Sequence, residues 1–371
     1  MKGPILITGG AGFIGGHLSN ELIAHGYDVR ILDVLQPQVH GPDRRRPDYL
    51  HPKAELIVGD VCDPAAVKQA TRDVDAVVHL AASVGVGQSM YEIAAYTNTN
   101  NMGTAVLLEA LVERPVRKLV VASSMSVYGE GLYQAASGRL VCDASRDRGQ
   151  LQAHIWEPLG PSREPLSPLA TPESKHPDLA SVYALSKYDQ ERMSLIVGRA
   201  YGIPTVALRF FNVYGPNQAL SNPYTGVLAI FANRLLNGMP PLIYEDGQQQ
   251  RDFVHVKDIA AGIRLSLERD VADDVLNLGS GEPRTISSVA ADLADATGRG
   301  HVKARVTGKY RAGDIRHCYA DIGRARRLLG YAPRVDWARG LSELADWLQG
   351  QSATDRVEQA GGELERRGLS V

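Results

Sequence analysis

Tyr183 and Lys187, four residues apart in Ser181-Val-Tyr-Ala-Leu-Ser-Lys187, are the pair in this chain best suited to chemistry. On a helix that spacing puts both side chains on one face. A tyrosine titrates at about 10 in water, so it acts as a base near neutral pH only where its phenolate is stabilised. The Lys187 ammonium is placed to do that. A second apolar run ends in Ser123-Ser-Met-Ser-Val-Tyr-Gly129, where the Ser124 hydroxyl can meet the same substrate oxygen. A base and a hydroxyl at one oxygen suit proton removal from an alcohol. Oxidation of that alcohol also needs a hydride acceptor, and nicotinamide cofactors are the common one.

The start of the chain offers a place for such a cofactor. Pro4 to Thr8 reads as a buried strand, and Thr8-Gly-Gly-Ala-Gly-Phe-Ile-Gly15 follows it. Gly9, Gly12 and Gly15 let the chain turn tightly and approach a pyrophosphate. Phe13 and Ile14 open a helix whose free N–H groups and positive dipole end face that pyrophosphate. The spacing is Gly-x-x-Gly-x-x-Gly, not the commoner Gly-x-Gly-x-x-Gly, so the context carries the reading. Asp33, at the end of the second strand, can accept hydrogen bonds from the adenosine ribose. It would repel a 2′-phosphate, which favours NAD over NADP. Asp60 and Val61 follow the third strand on the edge that would face the adenine, while Asp63 suits a helix cap ahead of Pro64. In His79-Leu80-Ala81-Ala82 the small residues allow close cofactor approach, and His79 reads as a buried structural residue. Asn100 either bonds backbone near the nicotinamide ribose or caps a helix. Ser123, Tyr183 and Lys187 complete the cofactor set.

These residues need a scaffold, and the hydrophobic pattern supplies one. Strands are expected at Pro4–Thr8, Tyr27–Asp33, Glu55–Gly59, Ala76–Ala81, Arg117–Ala122 and Thr205–Phe210. Helices are expected between them at Phe13–His25, Pro64–Thr71, Asn101–Val112 and Tyr183–Tyr201. That alternation predicts an α/β fold, a Rossmann-type doubly wound parallel sheet, over residues 1–208. Residues 209–350 read as a smaller α/β substrate-binding domain, with 252–278 returning to the first. Helices are expected in it at Val227–Leu236, Ile286–Thr297 and Leu341–Leu348. Residues 130–172 have no period and are rich in Pro, Gly and charge. A loop that long is uncommon and often functional. We expect a flap over the substrate, with a plain surface insertion as the other reading. Residues 351–371 read as a polar tail with a frayed end.

Composition narrows the class. The 371 residues carry a net charge of −2, which argues against nucleic acid as a partner. Cys62, Cys142 and Cys318 lie far apart, form no metal-ligand spacing and suit a reducing compartment. No run is long enough to span a bilayer, and the first residues lead directly into a strand with no charged-then-apolar leader. The expectation is a cytoplasmic enzyme with no membrane partner and no metal.

The motifs together resemble the extended short-chain dehydrogenase/reductases that modify nucleotide sugars. The resemblance runs from Ile5 to about Trp347. It includes the glycine motif, His79–Ala82, Tyr183–Lys187, Arg209-Phe-Phe-Asn-Val-Tyr-Gly-Pro216 and Arg251-Asp-Phe-Val-His-Val-Lys-Asp258. It implies an NAD-binding domain with a sugar-nucleotide domain, Ser124 as the catalytic hydroxyl, Tyr183 as base and Lys187 as its partner. It also implies that Ser124, Ser126, Asn212, Leu228, Tyr244, Arg251, Arg311 and Asp314 line the sugar-nucleotide site. Arg251 and Arg311 have the chemistry to pair with phosphate oxygens. Family dehydratases follow the catalytic hydroxyl with Asp-Glu, and decarboxylases carry a Glu two residues on. Met125 and Ser126 stand here, and neither shuttles a proton as a carboxyl does.

The resemblance therefore implies a 4-epimerase acting on a dTDP- or UDP-sugar by transient C4 oxidation, with a dehydratase, decarboxylase or 4-ketoreductase as alternatives. The runs Gln218–Gly226 and Tyr244–Gly247 and the long insertion are similar to dTDP-L-rhamnose 4-epimerases, with UDP-galactose and UDP-glucuronate 4-epimerases nearly as close. In the rhamnose group the insertion often carries paired cysteines suited to a metal. Only Cys142 lies there in this chain. Relatives dimerise through two helices corresponding to Asn101–Val112 and Tyr183–Ala200, which implies a homodimer.

Overall fold

Seven short apolar runs become the strands of one parallel sheet: β1 (Ile5–Thr8), β2 (Val29–Asp33), β3 (Glu55–Val58), β4 (Ala76–His79), β5 (Lys118–Ser124), β6 (Thr205–Phe210) and β7 (Asp274–Leu278). Their order is β7-β6-β5-β4-β1-β2-β3, with every neighbouring pair parallel. The structure is a computed structural model that describes residues 3–222, 224, 226–311, 313–352, 354–355 and 357–370. Met1, Val371, and Pro223 and Thr225 of the Gln218–Gly226 run lie outside the described residues.

Strand residues alternate between the two faces, and both faces are covered. Ile5, Ile7 and Val78 enter one core with Leu18 and Leu22 of helix α1 (Phe13–Ala24). Leu6, Val77 and Leu119 enter the opposite core with Val106, Leu107 and Leu111 of helix α2 (Gly103–Glu113). Helix α3 (Val182–Tyr201) packs on β5 and α2. Ser181 caps it by accepting from the Ala184 N–H (3.1 Å), and Gly202 ends it in the left-handed conformation at φ 68°. Helix α4 (Val256–Glu268) lies against α1, joined by the Arg264–Glu21 ion pair at 2.8 Å. β1 is flanked by β2 on one side and β4 on the other. The strand order therefore reverses between β1 and β4, and the carboxyl ends of these strands open a crevice there.

The second half forms its own core from Val227–Leu236, Ile286–Ala296 and Trp337–Leu348. Its central strand, Gln250–His255, runs parallel to Asn212–Tyr214 and His317–Cys318 and antiparallel to Pro283–Thr285. The return to the large sheet therefore begins with α4 at Val256, not at 252.

Two segments differ from expectation. Residues 130–172 are not a structureless flap. They contain a three-stranded sheet in which Leu132–Gln134 pairs with Leu140–Val141 and Ser167–Leu169. A buried charge network holds this sheet in place. Arg146 pairs with Glu245 (2.7 Å) and Glu130 (3.4 Å). Arg316 pairs with Glu245 (3.0 Å), Asp246 (2.6 Å) and Glu157 (2.5 Å), and His317 pairs with Glu157 (2.7 Å). No residue of this segment lines the cleft described below, so it is a buttress under the sugar-side wall. The polar tail also holds a helix near its end. Val357–Arg366 is a helix whose Ala360 and Leu364 are buried.

Candidate active site

A cleft of about 1210 Å³ follows the carboxyl ends of the sheet strands and continues between the two domains. The glycine motif forms its floor. Gly9 has φ 69°, and a side chain there would strike the Ala81 backbone at 2.8 Å. A methyl on Gly15 would sit 2.5 Å from the Gly10 Cα, which explains the close contact of α1 with the turn. Gly12 precedes α1 without a side-chain cap, leaving the helix N–H groups toward the cleft. Phe13 and Ile14 line the cleft beside it.

Asp33 serves the same turn. Its Oδ2 accepts from the Ala11 N–H (3.0 Å) and its Oδ1 from the Leu35 N–H (2.8 Å). A carboxylate has about four acceptor positions, so two remain for sugar hydroxyls. Asp60 lines the cleft with Val61, and its Oδ1 accepts from the Cys62 N–H (2.8 Å). Leu80, Ala81 and Ala82 line it from β4.

His79 is structural. Thr8 Oγ1 (2.7 Å) and Thr104 Oγ1 (2.9 Å) hydrogen-bond its two ring nitrogens, and burial depresses its pKa to about 3. Asn100 is also committed. It accepts from the Ser83 N–H (2.7 Å) and donates to Ser83 O (3.1 Å) and Ser186 Oγ (2.8 Å). It fixes the backbone after β4 from a π-helical turn, Thr97–Met102, that precedes α2. Ser123 donates to Glu191 Oε2 (2.8 Å), so its hydroxyl braces α3.

The reactive group lies where β5 ends against α3. Ser124 Oγ accepts from the Ser126 N–H (3.2 Å) and Ser126 Oγ–H (2.9 Å), and Tyr183 lines the cleft beside it. Burial raises the Tyr183 pKa, and the neighbouring Ser124 hydroxyl opposes that rise. Lys187 is buried on the same helix face. Burial lowers its pKa to about 7, opposed by the charge of Glu191. Its Nζ donates to Gln190 Oε1 (2.8 Å), and Gln190 Nε2 donates to Thr104 Oγ1 (2.8 Å) and Ala81 O (3.3 Å). The sequence reading placed Lys187 as the group that tunes Tyr183. In the structure Ser124 opposes the effect of burial on Tyr183, while Lys187, on the same buried helix face, is also tied to the β4 loop through Gln190.

Asn212, Leu228, Tyr244, Arg251, Arg311 and Asp314 line the far half of the cleft. The Arg311 guanidinium lies 4.4 Å from the Tyr244 ring centre, and its Nε is buried without a hydrogen-bond partner among the described residues. Asn212 Oδ1 and Gln249 Oε1 are likewise unpartnered at this cleft. Arg251 Nη1 donates to Gln250 O (2.9 Å) and Arg316 O (3.0 Å), and Nη2 to Ile315 O, with Asp314 Oδ1 at 3.8 Å. Three contributors escaped the sequence reading. Gln190 and Gln249 sit in no motif, and residues 357–369 contribute Leu364, Glu365 and Leu369 to the lining.

Residues 5–279 match the profile of the NAD dependent epimerase/dehydratase family. The chain belongs to this family. Over 349 residues it is 37% identical to the dTDP-L-rhamnose 4-epimerase of Burkholderia thailandensis, covering 93% of this chain and 94% of that one. Among solved structures it is similar to the UDP-glucose 4-epimerase of Thermus thermophilus in complex with NAD (TM-score 0.73, 29% identity, 94% and 99% covered). It is also similar to a UDP-N-acetylglucosamine 4-epimerase of Methanobrevibacter ruminantium in complex with UDP-N-acetylmuramic acid (TM-score 0.76, 31% identity, 95% and 100% covered). The family's NAD fits the residues present in this epimerase/dehydratase chain. Gly12 would admit the pyrophosphate, the open end of α1 would donate to it, and Asp33 keeps two acceptor positions. Among the described residues no group of three or more His, Cys, Asp and Glu could hold a metal ion, and no helix is long and apolar enough to cross a membrane.

Proposed function

We propose that the chain is a nucleoside-diphosphate-sugar 4-epimerase acting on a dTDP- or UDP-sugar. The observation that carries this is the Ser124–Tyr183 hydroxyl pair, whose flanking positions are Met125 and Ser126 rather than carboxyls. Bound NAD supplies reversible hydride acceptance at the C4 carbon. Tyr183 takes the C4 hydroxyl proton and later gives it back, while Ser124 holds the same oxygen. Elimination or decarboxylation would need a further acid or base, and the two flanking residues offer none. A 4-keto sugar that turns over in the cleft and is reduced on its other face becomes the C4 epimer.

Asn212, Arg251, Arg311 and Asp314 are proposed to hold the nucleoside diphosphate. The unpartnered Arg311 Nε and Asn212 Oδ1 support this, because buried polar atoms without partners are rare and costly. Asp33, Asp60 and the backbone of Leu80 to Ala82 are proposed as the NAD contacts. Exposed Met102, Leu185 and Ile196 around α2 and α3 support a homodimer through those helices. The three free cysteines are consistent with a reducing, cytoplasmic setting.

The test is incubation of the purified protein with dTDP- and UDP-sugars without added cofactor, with products read by NMR. A C4 epimer at constant bound NAD supports the reading. Accumulation of a 4-keto-6-deoxy sugar, CO₂ or a net reduced product would move the protein to the dehydratase, decarboxylase or ketoreductase class.

A further inference from the structure

Residues 354–355 and 357–370 contact both banks of the cleft. On the sugar-side bank, the Thr354 N–H donates to Ser221 Oγ (3.2 Å), its carbonyl accepts from Asn233 Nδ2 (3.0 Å), and Asp355 pairs with Arg234 (3.2 Å). Glu365 pairs with Lys309, and Ser370 forms a backbone bridge with Arg311 on the same bank. Contacts with the cofactor-side bank are fewer. Leu364 packs on Gly87, and the Arg367 guanidinium lies 4.3 Å from the Tyr91 ring centre.

The segment is built to be held by contact, not by its own stability. Its helix has 10 residues, too few to persist alone. It contains Gly361 and Gly362, and glycine weakens a helix interior. Neither glycine is required by packing. A methyl on Gly362 would meet nothing within 4 Å, and one on Gly361 only the Tyr244 hydroxyl at 3.9 Å. The Lys309–Glu365 pair is half exposed, and such pairs contribute little. On the cofactor side the closed position therefore rests on the buried Leu364 and the exposed Arg367 over Tyr91. Where the segment meets the cleft wall, Arg311 Nε and, within the segment, the buried Ser370 Oγ both lack hydrogen-bond partners among the described residues. A weakly held element that carries and meets unsatisfied polar atoms is suited to a ligand-responsive closure.

We propose that residues 357–370 are a gate over the nucleotide-sugar cleft. It releases from Gly87 and Tyr91 to admit substrate, stays attached to the sugar-side bank, and reseats through Leu364 before turnover. This rests on the nucleotide-sugar reading given above.

A reversible lock tests it. A methyl on Gly87 would lie 4.0 Å from Leu364 Cγ, close enough for paired cysteines to reach each other with little adjustment. Gly87→Cys with Leu364→Cys, in a Cys62→Ser and Cys142→Ser background, is assayed oxidised and reduced. The gate predicts at least a tenfold lower kcat/KM when oxidised, recovery with dithiothreitol, and unchanged bound NAD. Equal turnover in both states would overturn it, as would failure of the disulfide to form. If the wild-type protein turned over no nucleotide sugar, the functional reading would fail and the gate with it. In the wild-type background, Leu364→Ser is expected to raise KM at least fivefold without lowering the main unfolding temperature. An unchanged KM would also overturn the gate.

Discussion

Lys187→Met should make the NAD-free protein more stable while making the enzyme slower. Lys187 is buried, and its pKa falls from 10.5 to about 7 in the fold. At ~1.36 kcal/mol per pH unit, the folded protein carries a penalty of roughly 5 kcal/mol for the charged amine. That penalty is fully present below pH 7, where folded and unfolded chains are both protonated. Between pH 7 and about 10.5 the unfolded chain binds the extra proton, so wild-type stability rises with pH through this window. Methionine removes the penalty at every pH. It also deprives Gln190 Oε1 of its donor, at a cost of about 1–3 kcal/mol. The variant should therefore exceed wild type by roughly 2–4 kcal/mol at pH 6, and its advantage should shrink by ~1.4 kcal/mol per unit above pH 7. Urea unfolding of both proteins from pH 6 to 9.5 measures this directly. A stability difference that stays flat across the range would refute the argument, because it would mean that Lys187 does not titrate there. The same variant should lose turnover, since the charge that helps hold a phenolate near the cofactor is gone.

Other consequences are equally specific. Tyr183→Phe removes the proton carrier and should lower kcat by ~10²–10⁴-fold while the purified protein keeps its NAD, checked by steady-state rates and absorbance. Gly15→Ala places a methyl 2.5 Å from the Gly10 Cα. It should cost about 1–3 kcal/mol in thermal unfolding and strip NAD from the purified protein. Arg316→Met takes one of two arginines from buried Glu245 and removes the guanidinium from half-buried Glu157 and Asp246. It should destabilise by about 3–5 kcal/mol and open residues 130–172 to limited proteolysis.

Six of the seven strands of the large sheet were legible because they are short, mostly buried apolar runs followed by turn or helix signals, whereas β7, interrupted by Asp274 and Asn277, was not singled out. The cofactor floor was legible for a related reason. Gly9, Gly15 and Asp33 answer to backbone geometry and hydrogen bonding that few other residues satisfy. The hydrogen-bond partners of Asn100 and Ser123 were not legible, because Ser83 and Glu191 are distant in sequence. The buttress at 130–172 was missed for the same reason. Its order comes from Arg146 and Arg316 meeting Glu245 across 99 and 71 residues and from Arg316 meeting Glu157 across 159, and no local period records such pairs. The 357–370 gate did leave a trace. Val357, Ala360 and Leu364 are spaced three and four apart, but surrounding charge and two glycines masked the pattern.

The central claim is that the hydrogen removed from C4 returns to C4 of the same sugar. It is tested most directly with a dTDP- or UDP-sugar deuterated at C4, turned over by the NAD-loaded protein in ordinary water. The account predicts an inverted C4 that keeps its deuterium, with no solvent hydrogen gained at C5 or C6. Loss of the label from C4, its appearance at C6, or exchange at C5 would contradict it.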